Sequence, residues 1–177
     1  MGELPKYSPP KTLPKYYNKE EVLTILDKAK KHNKRNYLLL LVMFRTGLRV
    51  SEIVKLEKQD IKDGNIKVRQ GKGGKDRVVP IESELENILG FYLDGLQPRD
   101  RLFPVTTRRV QDICHKYGGS GLHPHIMRHS FAVHCLKNGM NLRLLQKILG
   151  HSSLNTTQIY LDVVGEDVKE GFEKVKW

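Results

Sequence analysis

The stretch NYLLLLVMFRTGLRVSEIVKL, residues 36 to 56, holds two helical patterns separated by one glycine. Its first half is almost wholly apolar and predicts a buried helix that ends at Gly47. RVSEIVKL follows at once and predicts a second helix, whose apolar side is formed by Ile53, Val54 and Leu56. Arg49 therefore lies at the start of that second helix, where the helix N-terminus already favours an anion.

Helical patterns extend over most of the remaining chain. NKEE at residues 18–21 supplies an N-cap asparagine with a glutamate three residues on, which is a capping box. Further helices are predicted in SELENILGFYLDGL, TTRRVQDICHKYG, HPHIMRHSFAVHCLKNG, LRLLQKILGH and SLNTTQIYLDV. Only NIKVRQ (65–70) and RVVPI (77–81) alternate like strands. We predict a mainly α domain with one small antiparallel β-sheet near residues 60 to 81, an α+β fold.

The charge of the chain favours a polyanionic partner. Its 177 residues include 31 Lys+Arg against 20 Asp+Glu, a formal net charge of +11. Such a surplus suits nucleic acid or an anionic membrane surface. The longest apolar run, YLLLLVMF (37–44), is too short to span a bilayer, and we find no signal-peptide pattern. We therefore expect a cytoplasmic protein without a membrane role, in which Cys114 and Cys135 are buried reduced thiols.

HPHIMRHSFAVH, residues 123 to 134, carries four histidines and one arginine. His125 and His129 have the spacing of a zinc-binding helical pair, but the glutamate that such a motif needs after the first histidine is replaced by Ile126. Arg128 lies three residues after His125, so both would project from one helix face and could bind phosphate oxygens together. The residues favour a phosphate site over a metal site, and we predict no metal.

Three further features resemble parts of a phosphate-processing site. Arg49 could bind a phosphate, and Glu52, three residues on, could orient it through an ion pair. GKGGKD (71–76) is a Gly-rich and Lys-rich hairpin loop between the two strands. LGHSSLNTTQIY (149–160) carries a histidine and then a tyrosine nine positions later. Each of these features alone is compatible with an ordinary surface pair, a solvated turn or a packed tyrosine.

Taken together, TGLRVSEIVKL, GKGGKDRVVP, HPHIMRHSFAVHCLKNG and LGHSSLNTTQIY resemble, in order and spacing, the tyrosine recombinase or phage-integrase family. The likeness is strongest to the Xer recombinases, which resolve chromosome dimers, and it covers residues 18 to about 162. It implies the catalytic-domain fold of DNA breaking-rejoining enzymes. The segment LPKYYNKEEV resembles the linker that follows the family's N-terminal DNA-binding domain.

The resemblance implies a role for each matching residue. Six positions match the family's catalytic set: Arg49, Lys72, His125, Arg128, His151 and Tyr160. Tyr160 would be the nucleophile and Lys72 the acid that protonates the leaving hydroxyl. The same loop also contains Lys75. We prefer Lys72 because it follows the first glycine of the loop. Lysines and arginines proposed to contact the DNA backbone are Lys75, Arg108, Arg109 and Lys116.

The function implied is site-specific DNA cleavage and rejoining through a 3′-phosphotyrosyl intermediate, in recombination or integration, without ATP, metal or another cofactor. We expect residues 1–17 to form an extended segment and 18–165 the catalytic domain. Residues 166–177 would form a C-terminal helix. That helix would either pack on its own domain or, as in Xer-like enzymes, dock into a neighbour within a homotetramer on double-stranded DNA.

Three other functions are compatible with parts of the pattern. A DNA-binding module without activity would share the basic surface. A type IB topoisomerase-like nicking-closing enzyme would share the chemistry but only relax supercoils. A zinc hydrolase would use the histidine cluster and would lose its activity in EDTA.

Overall fold

Helices dominate the computed structural model, which describes residues 15–69 and 76–150 together with Tyr160. In chain order the helices are α1 (Lys19–His32), α2 (Lys34–Thr46), α3 (Val50–Ile53), α4 (Ser83–Leu93), α5 (Thr107–Gly118), α6 (Pro124–Lys137) and α7 (Leu142–Leu149). A 3-10 turn covers Lys58–Asp60, and the strands are β1 (Ile61–Lys62), β2 (Asn65–Val68) and β3 (Arg77–Pro80). The prediction of a mainly α fold with one small antiparallel sheet is confirmed.

The helix starts follow the caps expected from the sequence. The Asn18 side chain accepts a hydrogen bond from the Glu21 amide at 2.8 Å, and the Glu21 carboxylate accepts one from the Asn18 amide at 2.7 Å. Thr106 caps α5 in the same way through the amide of Arg109, and Pro124 occupies the first turn of α6. The Asn18 and Thr106 side chains satisfy amide groups that have no partner within the helix, and Pro124 has no N–H that needs one.

Helix α2 lies at the centre of the core. Every residue from 38 to 43 is at most 2% exposed, and the helix packs against α1 on one side and α6 on another. It ends at Gly47, whose φ of +61° lies in the left-handed region. A Cβ at this position would meet Phe131 Cδ1 of α6 at 2.4 Å and Leu149 Cδ2 of α7 at 2.9 Å. The chain can therefore turn beside α6 and α7 only with a glycine at this position.

The sheet and the helix that precedes it each differ from the prediction in one detail. β2 and β3 are antiparallel, and their residue pairs run from Asn65 opposite Pro80 to Val68 opposite Arg77. The short strand β1 pairs with the other edge of β2. β1 is too short to show any alternation in sequence. The helix predicted in RVSEIVKL is also shorter than expected, because it is limited to the four residues of α3 before the chain turns into the sheet.

Helix α7 connects the sheet to the helices, since it packs on both β3 and α6. It ends at Gly150, which also has a left-handed φ of +63°. The C-terminal end of α7 therefore lies where β3, α6 and the α2–α3 junction meet. Residues 15–17 lie against α6, where the Tyr17 amide donates to Ser130 Oγ at 2.8 Å.

Both cysteines are free thiols in this fold, but only Cys114 is buried as expected, whereas Cys135 is half-buried. Burial raises the pKa of Cys114 and of Cys135 to about 12, so both remain protonated. Within the described ranges, no helix combines the length and the apolar character that a membrane crossing requires.

Substituting Gly47 with alanine should destabilise the fold by about 2 kcal/mol or more, because the new Cβ adds left-handed strain and a clash with Phe131. Urea unfolding measures this change. Gly90→Ala in α4 is the matched control, since nothing lies within 4 Å of its added Cβ. That control should stabilise the helix by up to about 1 kcal/mol. Equal urea midpoints for Gly47→Ala and the unsubstituted chain would contradict this account of the α2 terminus.

Candidate active site

The Glu52 carboxylate, whose side chain is only 7% exposed, is bound by two arginines. Arg49 Nη1 donates to Glu52 Oε1 at 3.0 Å. Arg77 Nη1 and Nη2 donate to the two carboxylate oxygens at 2.7 and 2.8 Å. The backbone amide of Arg49 adds a fourth bond at 2.7 Å. The Arg49–Glu52 ion pair expected from their spacing is present, and Arg77 makes the closer, bidentate contact.

The protonation state of Glu52 follows from these partners. Burial alone would raise its pKa, but the hydrogen bonds from Arg77 and Arg49 and their two charges lower it below its ordinary value. Glu52 is therefore ionised at neutral pH and holds both guanidinium groups in fixed positions.

Three arginines bind three consecutive backbone carbonyls at the C-terminal end of α7. Arg77 Nε donates to the carbonyl of residue 148 at 2.7 Å, Arg128 Nη2 to that of residue 149 at 2.6 Å, and Arg49 Nη2 to that of residue 150 at 3.2 Å. The last carbonyls of a helix lack partners within it and carry its partial negative charge. The end of α7 therefore gathers cations that would otherwise repel one another.

Arg128 is the most buried of the three, with 5% of its surface exposed. Its second bond runs from Nη1 to the Gly47 carbonyl at 2.6 Å, which ties α6 to the end of α2. Burial and the neighbouring charge of Arg49 lower the pKa of Arg128 to about 10. It is still a cation at neutral pH. The cluster thus places three positive charges around one carboxylate, an excess that an anion can neutralise.

Tyr160 is 2% exposed and lies beside this cluster. Its hydroxyl is 2.6 Å from Nδ1 of His129, and the two ring centroids are 5.6 Å apart. Burial raises the pKa of Tyr160, while the charge of Arg128 acts in the opposite direction without outweighing burial. Burial, His125 and Arg128 lower the pKa of His129. Tyrosine and histidine are therefore both neutral at pH 7, so the hydroxyl donates and Nδ1 accepts.

His125 is exposed on the first turn of α6, whereas Arg128 one turn later is buried. The two residues predicted to share a face thus differ in exposure. His125 lines a groove of about 770 Å³ whose wall also includes His129. Cationic or titratable side chains from three other places complete the same wall: Lys15, Arg108 and His123.

A second cavity, of about 650 Å³, opens beside the α2–α3 junction. Arg49 and Glu52 line it together with Lys67 and Arg69 of the hairpin and with Arg101. Arg69 Nη2 is 2.6 Å from Asp60 Oδ1. Arg49 thus connects the arginine cluster to a solvent-accessible cavity that carries further basic side chains.

Several predicted site residues are not described by the structure. Lys72, Lys75 and His151 lie outside the described ranges, as does the predicted C-terminal helix at 166–177. Of the proposed DNA contacts, Arg108 lines the groove. Arg109 and Lys116 are exposed on α5, where Arg109 Nη1 is 4.0 Å from Asp112 and Lys116 lies over the ring of Tyr117.

Two residues of the site were missed by sequence reasoning. Arg77 reads as an ordinary first residue of a strand, and only the packing of β3 on α7 brings it to Glu52. His129 was considered solely as half of a metal pair with His125. Among the residues described, no group of three His, Cys, Asp or Glu side chains is arranged to hold a metal ion.

The geometry can be compared with known proteins. The family model described as the phage integrase family matches residues 15–166. The tyrosine recombinase XerA of Pyrococcus furiosus is 39% identical over 180 residues, which cover 93% of this chain. The match spans 63% of that relative's length, so slightly more than a third of the relative has no counterpart here.

Solved structures of recombinases superpose on this chain. A crystal structure of XerA recombinase superposes with a TM-score of 0.78 at 29% identity, covering 98% of this chain and 68% of that one. The XerH site-specific recombinase, in a post-cleavage complex with its palindromic difH substrate, superposes with a TM-score of 0.69 at 27% identity. That match covers 92% of this chain and 54% of the XerH chain.

Replacing Glu52 with glutamine should lower the free energy of unfolding by about 3 kcal/mol at pH 7, because two arginines lose their shared counter-ion. The folded pKa of Glu52 lies below its ordinary value of 4.5. The carboxylate therefore contributes stability above that value and loses it as the pH falls through the folded pKa. Urea unfolding between pH 3 and 7 should show the difference shrinking at the acidic end.

Glu84→Gln is the control for that measurement. Glu84 pairs with Arg45 at 2.9 Å, and the Glu84 side chain is 65% exposed. Such surface pairs contribute less than about 1 kcal/mol. A Glu52→Gln variant no less stable than Glu84→Gln would show that Glu52 does not hold the cluster together.

Proposed function

Because the chain belongs to the phage integrase family, we propose that it cuts and rejoins DNA strands at specific sites through a covalent phosphotyrosine at Tyr160. One observation carries the proposal: Arg49, Arg77 and Arg128 converge on the end of α7 beside the buried hydroxyl of Tyr160. A phosphodiester is an anion that fits an excess of fixed cations, and a tyrosine hydroxyl is a nucleophile that can attack it.

In the proposed reaction Tyr160 Oη attacks the phosphorus of one DNA strand. The O–P bond forms as the bond from phosphorus to the 5′-oxygen breaks, which leaves a 3′-phosphotyrosyl link and a free 5′-hydroxyl. Arg49 and Arg128 stabilise the negative charge that develops on the non-bridging oxygens, assisted by His125 and His151. Attack by the 5′-hydroxyl of a partner strand reverses the step and rejoins the DNA, so the reaction needs no ATP.

Glu52 and Arg77 have positioning roles in this scheme. Two of the three guanidinium groups are fixed by the Glu52 carboxylate, and all three by the α7 carbonyls. Donors that are fixed before the reaction do not have to reorganise when charge develops. Arg77 uses one N–H of each Nη on the Glu52 carboxylate and its Nε–H on the carbonyl of residue 148, and we assign it to supporting the site.

Lys72 is our candidate for the acid that protonates the leaving 5′-oxygen, with Lys75 as the other lysine of the same loop. The loop connects β2 to β3, and Arg77 at the start of β3 is hydrogen bonded to Glu52. This attachment supports a lysine within reach of the arginine cluster. His151 follows Gly150, whose carbonyl is bound by Arg49, and that neighbour supports its place at the same phosphate.

Double-stranded DNA is the proposed substrate. XerH was solved on its difH substrate, and this chain carries a net charge of +11 and a cation-lined groove beside Tyr160. We propose that Arg108, Arg109, Lys116 and Lys75 contact the DNA backbone. The DNA substrate also supports the cytoplasmic location expected from the sequence. We further propose a homotetramer on DNA joined by residues 166–177, with 18–165 as the catalytic domain.

The competing functions receive less support from the site. A module that only binds DNA has no need of a buried tyrosine held 2.6 Å from a neutral imidazole. A nicking-closing enzyme would share the chemistry, and a plasmid assay separates it from a recombinase. It would relax supercoils without exchanging strands between two sites.

The proposal predicts a protein–DNA adduct that survives SDS. The full chain should form it on nicked suicide duplexes with Xer-type recombination sites in the presence of EDTA, since the arginines supply the charge that a metal would supply. Tyr160→Phe should bind the same DNA and form no adduct, because it removes only the attacking oxygen. A gel shift under the same conditions measures binding separately. DNA that is bound by the unsubstituted chain and never linked to it would contradict the proposal and favour a binding module.

The proposed backbone contacts predict a change in salt dependence. Arg108→Gln should lower the slope of log affinity against log salt by about 0.9, the effect of one lost phosphate contact. Arg109→Gln and Lys116→Gln should each do the same without changing the preferred DNA sequence. The control is Arg45→Gln, because Arg45 is paired with Glu82 and Glu84. If all three variants keep the slope of the unsubstituted chain, α5 is not part of the DNA interface.

A further inference from the structure

We propose that His129 is the group that accepts the phenolic proton of Tyr160 when the tyrosine attacks DNA. The inference rests on the proposed function, because it needs Tyr160 as the nucleophile, and it names a residue that neither the sequence motifs nor the comparisons assign. It specifies which group takes the phenolic proton when the neutral tyrosine becomes a covalent phosphotyrosine.

The first observation is the distance. His129 Nδ1 lies 2.6 Å from the Tyr160 hydroxyl, which is within the range for direct proton transfer. His129 is on α6 one position after Arg128, so the helix that fixes a phosphate-binding cation also fixes the proposed acceptor. The ring planes are tilted by 55°, with centroids 5.6 Å apart, which is compatible with an edge contact through the nitrogen and oxygen atoms.

The second observation is the charge around the pair. His125 and Arg128 on α6, with Lys15, Arg108 and His123 around the groove, surround His129 with positive or titratable groups. Burial and the charges of His125 and Arg128 lower the pKa of His129 and keep the imidazole neutral before DNA binds, so Nδ1 can accept. A bound phosphate supplies a negative charge that offsets these cations, and it makes the imidazolium form more favourable at the moment of attack.

The third observation is the lack of another acceptor among the described residues beside Tyr160. The guanidinium group of Arg128 is already protonated and has only donors. Glu52 is a carboxylate, but both of its oxygens accept hydrogen bonds from Arg49 and Arg77 and its side chain is 7% exposed. His129 is the described side chain that touches the reacting oxygen.

The proposed step moves one proton from Tyr160 to His129 and one from Lys72 to the leaving 5′-oxygen. The Oη–H bond of Tyr160 breaks and its proton passes to His129 Nδ1, while Oη bonds to phosphorus. The bond from phosphorus to the 5′-oxygen breaks, and that oxygen takes a proton from the proposed acid, Lys72. His129 holds the transferred proton as an imidazolium until rejoining, when it returns the proton to the tyrosine oxygen.

His129→Asn tests this role, because the amide keeps a hydrogen-bonding group near the position of Nδ1 but cannot take up a proton at neutral pH. We expect adduct formation on suicide duplexes to slow by about 10²-fold at pH 7. The wild-type rate should be level over neutral and mildly alkaline pH. The variant's rate should rise by about tenfold per pH unit over the same range, because hydroxide must remove the proton.

A second substrate separates the acid from the base. With sulfur in place of the bridging 5′-oxygen, the leaving group is a thiolate, which departs without protonation because a thiol is far more acidic than an alcohol. This substrate should restore the rate of Lys72→Ala and leave the defect of His129→Asn unchanged. His134→Asn, on the same helix and bonded to the Tyr17 carbonyl, is the control and should react like the unsubstituted chain.

Each other result would contradict the inference. A His129→Asn variant that reacts as fast as the unsubstituted chain, or faster, would show that His129 is a bystander or a restraint. A slow variant with an unchanged pH profile would make it a positioning residue. Rescue of His129→Asn by the sulfur substrate would assign it to the leaving group. If the unsubstituted chain binds DNA and forms no adduct on either substrate, the proposed function fails first, and Tyr160→Phe will match the unsubstituted chain.

Discussion

The Glu52 carboxylate and the three carbonyls at the end of α7 solve one physical problem, which is how a folded protein can hold three guanidinium groups close together. Like charges at this range repel by several kcal/mol unless counter-charges are near. One ionised carboxylate between Arg49 and Arg77 and three carbonyl dipoles supply that compensation. They do not cancel the charge completely, and in the proposed function the remaining positive field attracts the phosphate of the DNA.

This compensation also explains why separate elements have to meet at one point. The N-cap of α3 is Arg49 and its third residue is Glu52, β3 carries Arg77, α6 carries Arg128, and the end of α7 with Gly150 supplies the carbonyls. Arg128 additionally binds the Gly47 carbonyl, so the end of α2 becomes part of the same network. Loss of one member would leave a buried charge without its partner, which costs more than the net stability that the pair provides.

Tyr160 and His129 lie at the edge of this network and differ from the arginines in their charge. The arginines are charged and anchored, whereas the buried Tyr160 and the half-buried His129 are neutral and joined by one hydrogen bond. The charge of Arg128 favours ionisation of the tyrosine, but burial keeps its pKa above the ordinary value. In the proposed reaction, a neutral tyrosine beside a neutral histidine carries no uncompensated charge before DNA binds, and the charge of the bound phosphate then changes the balance.

Much of the fold is determined by local sequence. The capping box at Asn18, the apolar run ended by Gly47, and the alternation of residues 65–68 and 77–80 act over a few residues and are readable from the order of the chain. The motifs around Arg49, His125, Arg128 and Tyr160 were readable too, because family resemblance compares short patterns. Tertiary structure decided what those patterns touch. Arg77 reaches Glu52 from 25 residues away and His129 reaches Tyr160 from 31 residues away. No local periodicity encodes such pairs, because they depend on how β3 and α6 pack around the end of α7.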